Sequence, residues 1–167
     1  CKISMLTIYK NAGNEAYRLK DYVTAINQWE KYMSLGGKDI VNDLNTLNLY
    51  RNSIKYAASS YLKKQEWASS YEYFDKYLQK GGKEVAANGE IIYYMAYCAG
   101  KMGKPDLAIT NFKKSINLNY QPDYCILQLA IIYKNAGNEA EMIRILVAAI
   151  EKYPNSKMLD NMKRMLI

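Results

Sequence analysis

The chain has 167 residues, no histidine and a formal net charge of +7. The missing histidine removes the commonest general base and the commonest zinc ligand. Half of the residues are hydrophobic and only three are proline, which fits an ordered helical protein, and no run of 18 apolar residues offers a transmembrane helix.

In chain order, apolar residues at i, i+3, i+4 and i+7 predict helices rather than strands. Residues 6–38 read as two helices joined at Leu19-Lys20-Asp21, the second ended by Gly36-Gly37, where glycine takes the left-handed cap conformation. The stretch 39–50, DIVNDLNTLNLY, puts Ile40, Leu44 and Leu47 on one face with Ile54. It predicts an N-terminal extension of the next helix, giving about 25 residues in all. That second unit spans 39–82 and ends at Gly81-Gly82. A third spans 85–120, and a turn at Asn119 to Asp123 opens a fourth over 122–154. Residues 156–167 predict one more amphipathic helix, with Met158, Leu159, Met162, Met165 and Leu166 apolar. It is expected to cap the end, because an open end of a repeat stack exposes core.

The units repeat. Residues 20–39, KDYVTAINQWEKYMSLGGKD, return at 65–84 as QEWASSYEYFDKYLQKGGKE. Weaker copies follow at 103–118 and 137–154. Anchor positions Ala25, Ser70, Ala108 and Met142 are spaced 45, 38 and 34 apart. Trp29, Phe74, Phe112 and Leu146 stand four residues after each. One peptide, IYKNAGNEA, occurs at both 8–16 and 132–140. In this register the first copy lies inside a helix and the second runs into a turn.

Gly13 to Trp29, GNEAYRLKDYVTAINQW, resembles the tetratricopeptide repeat, a 34-residue helix–turn–helix unit. The resemblance covers roughly residues 6–154 as about four repeats. Lys104-Pro105 and Met142 depart from the family pattern, and only the fourth unit ends on the usual proline, Pro154. The resemblance implies an all-α fold, a right-handed α–α superhelix forming one domain over 1–167. Stacking is required because one helix pair cannot bury its apolar face alone.

Catalysis is not expected. Cys98 and Cys125 have no histidine or adjacent base to activate them, and they read as buried reduced thiols on apolar helix faces. Gly36-Gly37-Lys38 and Gly81-Gly82-Lys83 lack the strand that precedes a phosphate loop. No cofactor and no metal are implied.

In this family the first helix of each unit lines a concave groove. Carried over by helical spacing, the lining is Lys10, Asn14 and Tyr17, then Asn52, Lys55 and Tyr56, then Tyr93, Tyr94, Tyr97 and Lys101, then Tyr124 and Gln128. Asn11, Arg18, Ser59, Lys63, Glu90, Ile131, Lys134 and Asn135 belong to the same lining. About half of the tyrosines are expected to pack between helices instead. Some family members clamp a C-terminal carboxylate with Lys and Asn. Lys10 and Asn14 match the start of that clamp, but Tyr56, Glu90 and Tyr94 stand where its other residues belong, so it is not supported.

The expected function is a non-catalytic scaffold that binds a protein or an extended, acidic peptide in a Tyr/Lys groove. Two alternatives stand beside it. One is an envelope-associated assembly or secretion factor with Cys1 as a lipid-bearing residue, against the reading of Cys1 as a boundary within a longer chain. The other is an RNA-binding helical repeat. Against RNA, the lysines are dispersed, arginine is scarce and no unit repeats a base-reading pair. The Lys-, Asn- and Tyr-rich composition suggests a bacterial source, placing the chain in the cytoplasm or in the periplasm and cell envelope.

Overall fold

The computed structural model describes residues 2–36 and 42–167. Cys1, Gly37, Lys38 and Ile40, on which three of the expectations above rest, lie outside the described residues. Among those described, all regular structure is helical.

The chain divides into two compact units, Cys1–Val85 and Ala86–Ile167. The first holds α1 (Lys2–Arg18), α2 (Tyr22–Gly36), α3 (Leu44–Lys63) and α4 (Trp67–Lys80). A single turn, α5 (Lys83–Ala86), follows. The second unit holds α6 (Gly89–Lys101), α7 (Pro105–Asn117), α8 (Pro122–Asn135), α9 (Glu139–Lys152) and the short α10 (Leu159–Arg164).

One turn geometry closes the first helix of every repeat, and returns once more at Asn119 between α7 and α8. Lys20, Gln65, Gly103 and Gly137 each take a left-handed conformation, with φ of 61°, 62°, 69° and 72°. After each, the next residue's N–H reaches back to the helix, as Asp21 N to Ala16 O at 2.9 Å and Asn138 N to Tyr133 O at 2.9 Å. This is the double closure that satisfies the last carbonyls of a helix. The four left-handed residues are spaced 45, 38 and 34 apart, the spacing of the anchors in the sequence. Glycine suits the position, but Lys20 and Gln65 adopt it at a steric cost.

The anchors are buried as the pattern requires. Ala25, Ser70, Ala108 and Met142 are in the interior, as are Trp29, Phe74, Phe112 and Leu146. Ser70 hides its hydroxyl by donating to Ala58 O at 3.0 Å, which removes the penalty of an unpaired buried group. In the first unit Ala16, Ala25, Ile26, Trp29, Tyr50, Ile54 and Ala57 form one cluster. Small residues on α1 and α3 let α2 approach closely.

The long helix expected before Ile54 begins later than the apolar pattern suggested. Asp43 accepts a hydrogen bond from Thr46 N at 3.2 Å and so starts α3 at Leu44, giving 20 residues. Leu44 is exposed. A local aspartate cap therefore overrides the hydrophobic spacing. Cys98 and Cys125 are buried and form no disulfide. Burial pushes the Cys125 thiol up to about 11, the Ser115 hydroxyl only partly opposing it, which favours the protonated thiol at neutral pH. The C-terminal α10 is shorter than 156–167, with Met162 buried against the stack. Ser156 ties the approach to α10 by donating to Asp123 at 2.5 Å.

Candidate peptide-binding grooves

In the second unit, α6 and α8 carry the expected lining on the same side. Tyr97, Lys101 and Gln128 come together in a groove of about 260 Å³. Ile131 and Asn135 complete its α8 wall, one and two turns beyond Gln128. Ala96 and Gly100 keep the α6 wall low, and Phe112 reaches the floor from α7. Lys101 Nζ sits 5.4 Å from the centre of the Tyr97 ring, a cation–π distance. The groove thus combines an aromatic face, an ammonium, two carboxamides and an apolar floor. Ile131 keeps 39% of its surface exposed, which leaves an apolar contact point at the rim.

Tyr93 has a different role from Tyr97, although one helical turn separates them. Its ring meets Tyr94, Phe112, Tyr120 and Tyr124 at centroid distances of 5.4, 5.9, 5.8 and 5.8 Å. Burial drives its hydroxyl well above the ordinary tyrosine range, with Tyr124 adding to the effect. Tyr93 is the hub of an aromatic cluster that packs the starts of α6 and α8. Tyr94 and Tyr124 are half-buried members of that cluster.

In the first unit α1 and α3 carry the remaining lining. Lys10 is engaged with Asp43 at 2.8 Å, which also accepts from the Tyr32 hydroxyl at 2.8 Å. Burial raises the Asp43 carboxyl, but bonds from Lys10, Tyr32 and Thr46 outweigh it and hold the group down to about 2. Lys10 therefore acts first as a tie between α1 and the start of α3. Tyr17 packs on Tyr22 and Trp29, and Tyr22 on Tyr56, at 5.9, 6.0 and 5.0 Å. Burial, then the neighbouring Tyr56 and Tyr22, raise the Tyr17 hydroxyl. Asn52 and Tyr56 are exposed and Lys55 is half-buried. The Asn14 Oδ1 is buried with no hydrogen-bond donor among the described residues. Asp43 and Tyr22 were not anticipated. Asp43 was hidden in a stretch that reads as continuous helix. Tyr22 has a sequence signal, the Asp-Tyr turn, but that signal does not say which ring it meets.

Among the described residues no cluster of His, Cys, Asp and Glu is placed to hold a metal ion. No helix among them is long and apolar enough to cross a membrane.

The family model described as tetratricopeptide repeat matches residues 124–156, which is the α8–α9 pair. Among solved structures, MamA is similar over 90% of this chain and 92% of its own, with 18% identity and a TM-score of 0.54. A second MamA structure covers 85% and 94%, with 17% identity and a TM-score of 0.54. YrrB, described as a TPR protein with an unusual peptide-binding site, covers 87% of this chain and 68% of its own, with 20% identity and a TM-score of 0.50. No curated protein matches the sequence.

Proposed function

We propose that this chain, which is a tetratricopeptide-repeat protein, is a non-catalytic scaffold that binds an extended segment of another protein. The observation that carries the reading is the groove joining Tyr97, Lys101 and Gln128 with Ile131 and Asn135. Carboxamides on a rigid helix can pair with both the N–H and the C=O of a peptide backbone. Backbone pairing holds many sequences; the side-chain contacts then select among them. Ile131 and the Phe112 floor favour an apolar side chain, and Lys101 favours a carboxylate beside it. The peptide-binding site named for YrrB is consistent with this use of the fold. The Tyr17–Tyr22–Tyr56 surface of the first unit, with Asn14, Asn52 and Lys55, is read as further lining of the same kind. Tyr94 and Tyr124 support the lining from the Tyr93 cluster.

The test is affinity capture from the source organism's lysate with the intact chain and with a Lys101→Glu/Gln128→Ala variant in parallel. A protein recovered by the first and lost by the second supports the groove. Identical recovery with both baits sinks it.

A further inference from the structure

The α8 helix has a second cleft on its other side. Ile126 and Leu129 of α8, Ile116 of α7, and Ile145 and Ala148 of α9 enclose about 240 Å³. Gln128, Ile131 and Asn135 face away from it, into the groove already described. The cleft stays open because α9 places Ala148 and Ala149 where larger side chains would close it over α8.

Its rim is cationic. Lys113, Arg144 and Lys152 border the apolar floor, and no carboxylate lines it. Glu151 adjoins Lys152 in sequence and is exposed, and Glu141 stands one turn before Ile145 on α9. Glu141 is taken up by Arg144, which donates through Nε at 2.8 Å and Nη2 at 2.6 Å. Lys113 and Lys152 make no ion pair with any described residue. They rest over the rings of Tyr133 and Tyr153, at 6.0 and 5.4 Å from the centroids. Two ammonium groups thus border the apolar floor without a contact ion pair, with Glu141 acting on Lys113 only at longer range.

We propose that this cleft is a second docking site, for an acidic amphipathic protein segment whose apolar side chains enter between α7 and α9 while its carboxylates meet Lys113, Arg144 and Lys152. An apolar floor without the rim would select only for hydrophobicity, and a cationic rim without the floor would be a solvated surface. Their coincidence specifies both features of the partner. The size favours a protein segment over a free amphiphile. Enclosed small-molecule pockets run to roughly 300–1,000 Å³, whereas this open cleft suits one or two anchor side chains. The two sites lie on opposite sides of α8, so one chain can hold two partners at once.

The test uses the full chain and a fluorescein-labelled helical peptide with Leu at i, i+3, i+4 and i+7 and Glu between. A second peptide replaces each Glu by Lys, and sodium laurate represents a free anionic amphiphile. The Glu peptide is expected to bind saturably and the Lys peptide not to bind. Ala148→Glu, at an exposed position, fills the cleft with a like charge and should weaken the Glu peptide about tenfold or more. Lys152→Glu is a milder surface change and should weaken it in the same direction if Ala148→Glu does not fold. Gln128→Ala should leave this binding unchanged, which separates the cleft from the opposite groove. Binding insensitive to both cleft variants overturns the proposal. So does absence of saturable binding by the Glu peptide. Laurate binding that Ala148→Glu abolishes, without binding of the Glu peptide, would reassign the cleft to an anionic amphiphile.

Discussion

The indole of Trp29 lies directly against Gly13, so that a Cβ added at Gly13 would fall 2.6 Å from Trp29 Cδ1 and 2.7 Å from Cε2. Trp29 has no solvent exposure, so the ring has nowhere to retreat. Gly13 is thus the hole that admits the aromatic of the first repeat. Replacing it with alanine improves helix propensity by about 1 kcal/mol, but overpacking a closed core costs about 1–3 kcal/mol. Gly13→Ala should therefore destabilise the protein, lowering its urea midpoint. Gly100→Ala should do the opposite, gaining up to about 1 kcal/mol, because the nearest atom to its added Cβ is Ala108 Cβ at 4.0 Å. Equal effects of the two substitutions would show that the Trp29 contact is not tight.

The recurrent turn gives a second expectation. Lys20 and Gln65 occupy the left-handed position that Gly103 and Gly137 fill in the second unit. Each side chain is strained there, and glycine relieves the strain at the expense of a freer unfolded chain. Gln65→Gly is expected to stabilise by about 0.5–1 kcal/mol, and Gly137→Ala to destabilise by a similar amount. Thermal midpoints moving in the same direction for both would contradict the shared geometry.

The acid limb of the stability curve should depend on Asp43. Its carboxyl is held down to about 2 in the folded chain, against about 3.9 when unfolded. A depressed value stabilises the fold above the unfolded pKa, and the contribution is lost as pH falls from about 4 towards 2. Asp43→Asn removes the charge that Lys10 and Tyr32 share. The variant should be less stable at pH 7 and should lose less further stability between pH 5 and pH 2 than the parent. Parallel acid titrations followed by circular dichroism decide it.

Tyr93 and Tyr97 separate packing from binding. Tyr93→Ala empties the centre of four ring contacts and should cost about 3–5 kcal/mol, with Tyr93→Phe retaining most of that stability. Tyr97→Ala, at the groove wall, should leave the thermal midpoint within a few degrees while reducing recovery of the captured partner. A large stability loss from Tyr97→Ala would move it into the core and remove it from the site.

What was legible in the sequence is the period. The spacing of Ala25, Ser70, Ala108 and Met142 returns as the spacing of the left-handed turns that close the first helices, because each repeat must bury a small residue and an aromatic at fixed helical offsets. The helix of IYKNAGNEA at 8–16 and the turn of the same peptide at 132–140 also followed from register. Gly13 is helical under Trp29, whereas Gly137 has φ of 72° and Asn138 caps α9 by accepting from Glu141 N at 3.2 Å. The peptide itself permits both states, since glycine tolerates either conformation and asparagine either caps or continues a helix. Only the surrounding repeat selects one. The candidate site divides in the same way. Helical spacing put Tyr93, Tyr97 and Lys101 on one helix face, but spacing carries no information on what stands opposite. The approach of Phe112 and Tyr124 engaged the Tyr93 ring in an aromatic cluster, and the small Ala96 and Gly100 left Tyr97 and Lys101 at an open groove. Local sequence determined the helices and their period because those depend on near neighbours along the chain. Tertiary packing decided which tyrosines remain available, because burial is a property of the partners that side chains meet across helices.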